Sequence, residues 1–515
     1  MDWQLPKVRN RIQLLALFVL GAILAGAAEL PFGGWIQIPL LTLIWWQLHK
    51  SNQQAFKHYF VASMSFGLGY FVLGLWWIYI SLHDIGGMYW LLSVAAVFLL
   101  AGGMALFFSL ASLSIRIFKD SPISGLLLAA NWVLVEWLRS WVLTGFPWMG
   151  LAESQVNGPF GAVAPYLGGL ACTFLVVWAS WQLYILRKQA RIGGISLLFI
   201  LLLMPAFSWW QFTKPQGEPL SVELIQGNFA QSLIFNPDGV FRQIQFYDRA
   251  MKSSHADLIV SPETAFSWPE TNLPSGLLDS LQVFSNQSQS TLLFGIIGRR
   301  QNPPDGREFS NRALGIGPNA PTYQYDKSHL VPFGEFIPPG FHWFIKAFSV
   351  PLSDFARGAT DQAFFPITRS GQDPIYAAIT ICYEDVFGSE LAARLRESNK
   401  PANLMINITN LAWFGASQAP AQQLRLSQLR SLETGLPALR ATNTGITAVL
   451  GPDGKVLAQL PEFTQGTLTA KVQAYSGKTP YIAWGNTPIL SISCLLLILG
   501  LIRQKRFESL AGLAM

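Results

Sequence analysis

The chain has 515 residues, a net charge of +6 and an apolar share of 51%, but only 12% of it is charged. An ordinary soluble protein is about a quarter charged, so a wholly water-soluble globule is excluded, and without a basic run no nucleic-acid partner is expected. Of the three cysteines, Cys172 and Cys494 sit in long apolar segments, which argues against a disulfide framework and a Cys-built metal site.

Seven segments in the first 212 residues are long and apolar enough to span a bilayer. They run roughly over 11–28, 33–48, 58–81, 88–115, 122–143, 160–186 and 193–211, and an eighth covers about 483–502. The first has the basic start and small residues of a signal peptide, but the spans behind it read it as a retained helix. Basic residues fall in alternate connections: Lys7, Arg9 and Arg11; Lys50 and Lys57; Arg116 and Lys119; Arg187, Lys188 and Arg191; Arg503, Lys505 and Arg506. The positive-inside rule then puts both termini in the cytoplasm and the stretch 213–481 on the opposite, periplasmic side. The expected organisation is a seven-helix bundle over 1–212, an outer domain over 213–481, and a last helix with a cytoplasmic tail over 482–515. In the fifth span Glu136 and Arg139 are three apart and share a helix face, as an ion pair would require. The loop after it, TGFPWMG with Phe146 and Trp148, reads as a re-entrant or interfacial loop beneath the outer domain, in reach of a lipid substrate.

From residue 213 the pattern becomes short apolar strands alternating with amphipathic helices. Strands are expected at 221–228, 257–265, 291–299, 375–382, 402–409, 441–450 and 466–472, and helices at 240–254, 275–287, 387–398 and 420–436. This is an α/β layered domain with buried parallel strands. Three strand ends or adjoining loops carry reactive groups: Glu263 in SPETA, Lys327 with Glu335 in YDKSHLVPFGEF, and Cys382 in IYAAITICYEDVF. Together they offer a base, a cation and a thiol where α/β folds put their sites. Residues 330–352, with Phe341, Trp343 and Phe344, are too apolar for a water-facing loop and read as a lid or a bilayer contact. No P-loop, no GxGxxG opening a helix and no HExxH occurs, so neither a nucleotide, a metal nor another cofactor is expected.

The motifs PETAF, DKxHLVPFGE and ICYEDVF resemble, in order and separation, those of the nitrilase superfamily. EWLRSW (136–141), TGFPW (144–148), QGNFAQS (226–232) and AWFG (412–415) extend the resemblance over essentially the whole chain, to the membrane-embedded branch that acylates lipoproteins. The resemblance implies a multi-pass helical bundle joined to an α-β-β-α sandwich. It implies Glu263 as general base, Lys327 as electrostatic stabiliser and Cys382 as nucleophile, with Glu335 and Glu384 in support and the Tyr383 N–H as oxyanion donor. The implied donor is a membrane phospholipid, the acceptor a diacylated apolipoprotein, and the enzyme a monomer. Three positions depart from the pattern: Phe235 stands where the branch commonly has Trp, Leu411 replaces an Asp and Ala421 a His. A membrane-tethered amidase acting on a small amide would carry the same triad. A transporter or scaffold with an inert outer domain would have no need of it.

Overall fold

The computed structural model describes residues 5–513 apart from 53, 119–122, 302, 304 and 339–353, with side chains left out at 5–9, 234–235 and 506–513. The chain divides into two compact units, one of Met1–Tyr79, Tyr89–Trp210 and Trp484–Met515, the other of Ile80–Met88 and Gln211–Ala483.

In the first unit each apolar segment read from the sequence contains an α-helix: Leu5–Ala27, Gly33–Ser51, Phe56–Gly74, Trp90–Ser112, Ser124–Arg139, Gly169–Ile185, Ala190–Ser208 and Thr487–Leu513. Among the described residues four helices are long and apolar enough to cross a membrane, or five if a bent pair counts as one span. Helices Leu5–Ala27 and Phe56–Gly74 touch backbone to backbone: a Cβ on Gly69 would stand 1.9 Å from the Phe18 carbonyl oxygen, and one on Gly21 2.1 Å from that of Phe66. Such close approach is how apolar helices gain packing where lipid offers no hydrophobic drive. Glu136 and Arg139 are both buried, but each has a different partner from the one their spacing allows. Glu136 accepts from the Thr173 hydroxyl at 3.1 Å, while Arg139 Nη1 donates to the Trp148 carbonyl at 2.7 Å.

The second unit is built on two sheets. The first takes β1 (Thr213–Gln226), β2 (Leu258–Val260), β3 (Phe266–Pro269), β4 (Thr291–Arg299), β5 (Phe309–Ile316) and β6 (Tyr323–Asp326). The second takes β7 (Phe365–Ile367), β8 (Ile375–Ile381), β9 (Leu404–Thr409), β10 (Ala438–Thr442), β11 (Ala448–Leu450) and β12 (Val456–Gln459), while β13 (Gly466–Gly477) returns to the first. The orders are β13-β1-β2-β4-β5-β6, with β3 also on β4, and β12-β11-β10-β9-β8-β7. The inner neighbours β1-β2-β4 and β8-β9-β10 are parallel.

Alternation along these strands makes the layers. In β8 and β9, Ile379, Ile381, Leu404, Ile406 and Ile408 face the first sheet's Leu224, Val260 and Leu293 in one core. The residues between them, Ala378 and Met405, point the other way, into a core with Leu391, Leu395 and Leu424 of helices Gly388–Glu397 and Ala419–Thr434. On the far side Ile259, Leu292 and Phe294 pack against Ile244, Tyr247 and Leu281 of helices Pro237–Ser253 and Leu277–Ser288. The period of two thus yields helix, sheet, sheet, helix. Each fully buried Leu or Ile contributes about 1.5–3 kcal/mol.

Two strand expectations need correction. The run 257–265 pairs as strand only over Leu258–Val260, because Pro262 lacks the N–H to continue a ladder. The run 441–450 is a hairpin: β10 and β11 pair antiparallel around residues 443–447, where Asn443, Thr444 and Gly445 supply turn chemistry.

Candidate active site

Glu263 leaves the sheet just beyond β2. The Ser261 N–H donates to the Leu293 carbonyl at 2.8 Å and the Gly295 N–H to that of Pro262 at 3.1 Å, which pulls the segment against β4. That approach requires glycine at 295, where a Cβ would lie 2.6 Å from the Glu263 Cα. Thr264 follows in the left-handed region at φ +52°.

Lys327 is set by the pairing of β5 with β6. Arg312 and Asp326 are in register, and the guanidinium grips the carboxylate at two points, Nε to Oδ1 at 2.7 Å and Nη2 to Oδ2 at 3.1 Å. One residue on, the Lys327 N–H donates to the Asn311 carbonyl at 2.8 Å. The side chains of Asn311 and Lys327 both reach the same two carboxylates. Asn311 Nδ2 donates to Glu263 Oε1 at 2.7 Å and to Glu335 Oε1 at 2.8 Å. Lys327 Nζ stands 3.4 Å from Glu263 Oε1 and 3.0 Å from Glu335 Oε1. The Asn410 N–H completes Glu263 at Oε2, 2.8 Å away, and the Val331 N–H does so for Glu335 at 2.8 Å.

Cys382 directly follows β8 at φ +53° and opens a single 3-10 turn, Cys382–Val386. A non-glycine residue held there costs roughly 1–3 kcal/mol, strain that collects at functional sites. The thiol is partly buried at the edge of the intersheet core. Burial and then the Glu263 charge push it up to about 12, against the pull of Lys327 and a hydrogen bond with Thr409. The resting group is therefore the neutral thiol. Burial likewise holds the Glu263 carboxyl above its ordinary range, opposed by Lys327. For Lys327, burial lowers the ammonium, but Glu335 and Glu263 together outweigh it and keep it charged.

Glu384, two residues beyond Cys382, is surrounded by donors. Glu384 Oε1 accepts from the Ser328 N–H at 2.6 Å, the Ser328 hydroxyl at 2.7 Å, the His329 N–H at 3.2 Å and the Tyr325 hydroxyl at 2.9 Å. Its Oε2 accepts from the Ile381 N–H at 2.7 Å. It ties the Lys327 loop to the strand that delivers Cys382. Arg394 Nη1 holds the same Tyr325 hydroxyl at 2.8 Å. The Tyr383 ring is buried edge-on to Phe387, 5.1 Å between centroids.

Glu263, Lys327, Glu335 and Cys382 are thus brought together, with Glu384 and Tyr383 around them. Phe235 ends the 3-10 turn Gln231–Phe235, but its side chain lies outside the described residues, as do Phe341, Trp343 and Phe344 altogether. Phe146 and Trp148 belong to the helical unit, where Trp148 is buried 5.3 Å from Trp77. Leu411 is buried and Ala421 half-buried. The sequence motifs assign no role to Asn311, Asn410 or Tyr325. The one available signal was Ser310-Asn311-Arg312, three polar residues in a strand that is otherwise apolar and, as it proves, buried at all three. Among the described residues no cluster of three His, Cys, Asp or Glu side chains could hold a metal ion.

A base, a cation and a thiol at the C-terminal ends of sheet strands can carry acyl transfer through a covalent thioester. Two family models match the chain: apolipoprotein N-acyltransferase N-terminal domain over residues 21–182, and carbon-nitrogen hydrolase over 209–481. The chain is similar to the apolipoprotein N-acyltransferase of Ralstonia nicotianae, 40% identical over 86% of this chain and 84% of that one. It is also similar to that of Nitrosomonas europaea, 37% identical over 95% and 97%, and to that of Chromobacterium violaceum, 38% identical over 96% of each. Among solved structures, an amidase from Nesterenkonia sp. is 18% identical over 50% of this chain and 92% of that one, with a TM-score of 0.35.

Proposed function

The chain belongs to the apolipoprotein N-acyltransferase family, and from that premise we propose that it moves a fatty acyl chain from a membrane phospholipid to the N-terminal amine of a diacylated apolipoprotein. The observation that carries this reading is the convergence of Glu263 and Lys327 on Cys382, close enough for both charges to act on the thiol.

In the first half-reaction Glu263 takes the thiol proton as Cys382 attacks the phospholipid ester carbonyl. The thiol at about 12 is a poor resting nucleophile, so the proton leaves during attack and not before it. Lys327 and the Tyr383 N–H stabilise the oxyanion, an interaction of about 3–4 kcal/mol per well-aimed donor. Glu263 then returns the proton to the leaving lysophospholipid alkoxide, and a thioester remains on Cys382. In the second half-reaction the apolipoprotein amine, with a pKa near 8, attacks the thioester while Glu263 accepts the excess proton. The amide forms and the thiol is restored. Amide resonance draws the sequence forward, so no nucleotide is consumed, and the kinetics are ping-pong.

The catalytic unit faces the periplasm and both termini lie in the cytoplasm, a reading supported by the alternation of basic residues. The protein works as a monomer. Phe341, Trp343 and Phe344 act as the lid or bilayer contact, and Phe235, Phe146 and Trp148 line the path of the lipid.

The test is intact-protein mass spectrometry after incubation with phospholipid vesicles. The expected result is an acyl-sized adduct on wild type that vanishes in Cys382→Ala and is discharged by a diacylated peptide amine. A wild type that stays unmodified, or an adduct that persists without Cys382, overturns the transfer mechanism. Discharge by water at the rate seen with the amine favours an amidase-like hydrolase.

A further inference from the structure

A second polar network lies beneath the nucleophile and has no part in the proton or acyl transfers above. Its centre is Arg440 on β10, fully buried. The guanidinium donates to Gln423 Oε1 at 2.6 Å, to Ser427 Oγ at 2.8 Å and, more loosely, to Asn407 Oδ1 at 3.3 Å. Asp385 balances its charge: Oδ2 is 3.6 Å from Arg440 Nη1 and accepts from the Ser427 hydroxyl, while Oδ1 accepts from Thr380 at 2.8 Å. A buried ion pair is seldom kept for stability, since apolar residues of like volume do as well.

The network meets the backbone of Cys382 at its carbonyl. The carbonyl oxygen of Cys382 accepts from Gln423 Nε2 at 3.0 Å and from Asn407 Nδ2 at 3.4 Å. Both amides have a choice of two orientations. Because Arg440 offers only donors, it takes the oxygen of each and turns each NH2 toward Cys382. Cys382 itself stands at φ +53°, a backbone angle that its surroundings must impose. The peptide that follows is planar and trans, so its C=O and N–H point in opposite directions. Anchoring the Cys382 carbonyl therefore aims the Tyr383 N–H away from the Arg440 network.

We infer that Arg440, acting through Gln423 and Asn407, is a positioning residue that holds the Cys382–Tyr383 peptide so that the Tyr383 N–H meets the developing oxyanion. This rests on the acyl-transfer reading above and adds to it the groups that fix the oxyanion donor.

The experiment compares two reactions of one thiol. Acylation by a phospholipid ester builds an oxyanion; alkylation by iodoacetamide is a displacement at carbon and builds none. Gln423→Met keeps the length of the side chain and removes its amide. It is expected to slow acylation of Cys382 by about 10²-fold, the scale of one oxyanion donor, while alkylation stays within about threefold of wild type, as the thiol's surroundings persist. Arg440→Lys keeps the charge but loses the planar fork that meets Gln423 and Asn407 from separate nitrogens, and is expected to show the same split at roughly tenfold. It carries the comparison if Gln423→Met does not fold. Acylation at the wild-type rate, or acylation and alkylation falling in parallel, overturns the inference. Failure of wild type itself to acylate is a separate outcome, which sinks the proposed function and this inference with it.

Discussion

The two sheets of the catalytic unit each bury acids beside the site, and they treat them differently. Near the first sheet, Glu263 and Glu335 share one ammonium and one amide, from Lys327 and Asn311. Glu263 receives three donors in all, two at Oε1 and one at Oε2, against about four sites on a carboxylate. Near the second sheet, Glu384 has neutral donors at both oxygens, four of them converging on Oε1 alone. An acid with spare capacity beside a single shared cation can gain and lose a proton. A saturated acid is a strut. The two sheets thus carry chemically identical side chains into opposite uses, and the difference lies in who donates to them.

The largest expected effect separates them by activity. Glu263→Gln removes the proton acceptor and should slow acylation of Cys382 by about 10²–10⁴-fold. Its unfolding free energy should fall less than that of Glu384→Gln, because fewer donors converge on Glu263 and burial already disfavours its ionised form. The rate of adduct formation and a denaturant titration check the two halves. Equal losses of activity and stability would erase the distinction between the sheets.

Glu384→Gln should show the reverse emphasis. The amide puts an NH2 among groups that are themselves donors, so at least one buried donor loses its acceptor, at a cost of about 1–3 kcal/mol. The thermal midpoint in detergent should fall clearly below that of Glu263→Gln. A midpoint unchanged from wild type would mean that Glu384 is no strut.

The smallest effects test the charges around the thiol and carry opposite signs. Glu263 raises the Cys382 thiol and Lys327 lowers it. At one pH near 8, Glu263→Gln should speed iodoacetamide alkylation several-fold while Lys327→Met slows it, though both slow acyl transfer. With the thiol at about 12, wild-type alkylation should climb about tenfold per pH unit through the range about 7–10 without levelling near the free-thiol value of about 8.5. Enzymatic acylation should fall on the acid side at a pH above the ordinary carboxylate range, as the raised Glu263 takes up its proton and can no longer accept one. A plateau in alkylation near pH 8.5, or variants shifting the rate in the same direction, would contradict the charge arrangement.

The apolar helical segments, the layered α/β pattern and the three reactive strand ends were legible in the sequence because each is a local signal. Hydropathy over some twenty residues marks a span, alternation marks a strand, and a polar residue closing an apolar run marks a strand end. Asn311 carried no comparable signal, since its meaning depends on Glu263, 48 residues away, and on Glu335. The same holds for Arg440, whose links to Gln423 and Asn407 join β10 to a helix and a neighbouring strand. Sequence by itself determined which side chains could be reactive and which stretches would be buried. Tertiary structure alone decided the proton balance among the buried acids. A buried polar group is governed by the partners that satisfy it, and strand register chooses those partners, not neighbourhood in the chain.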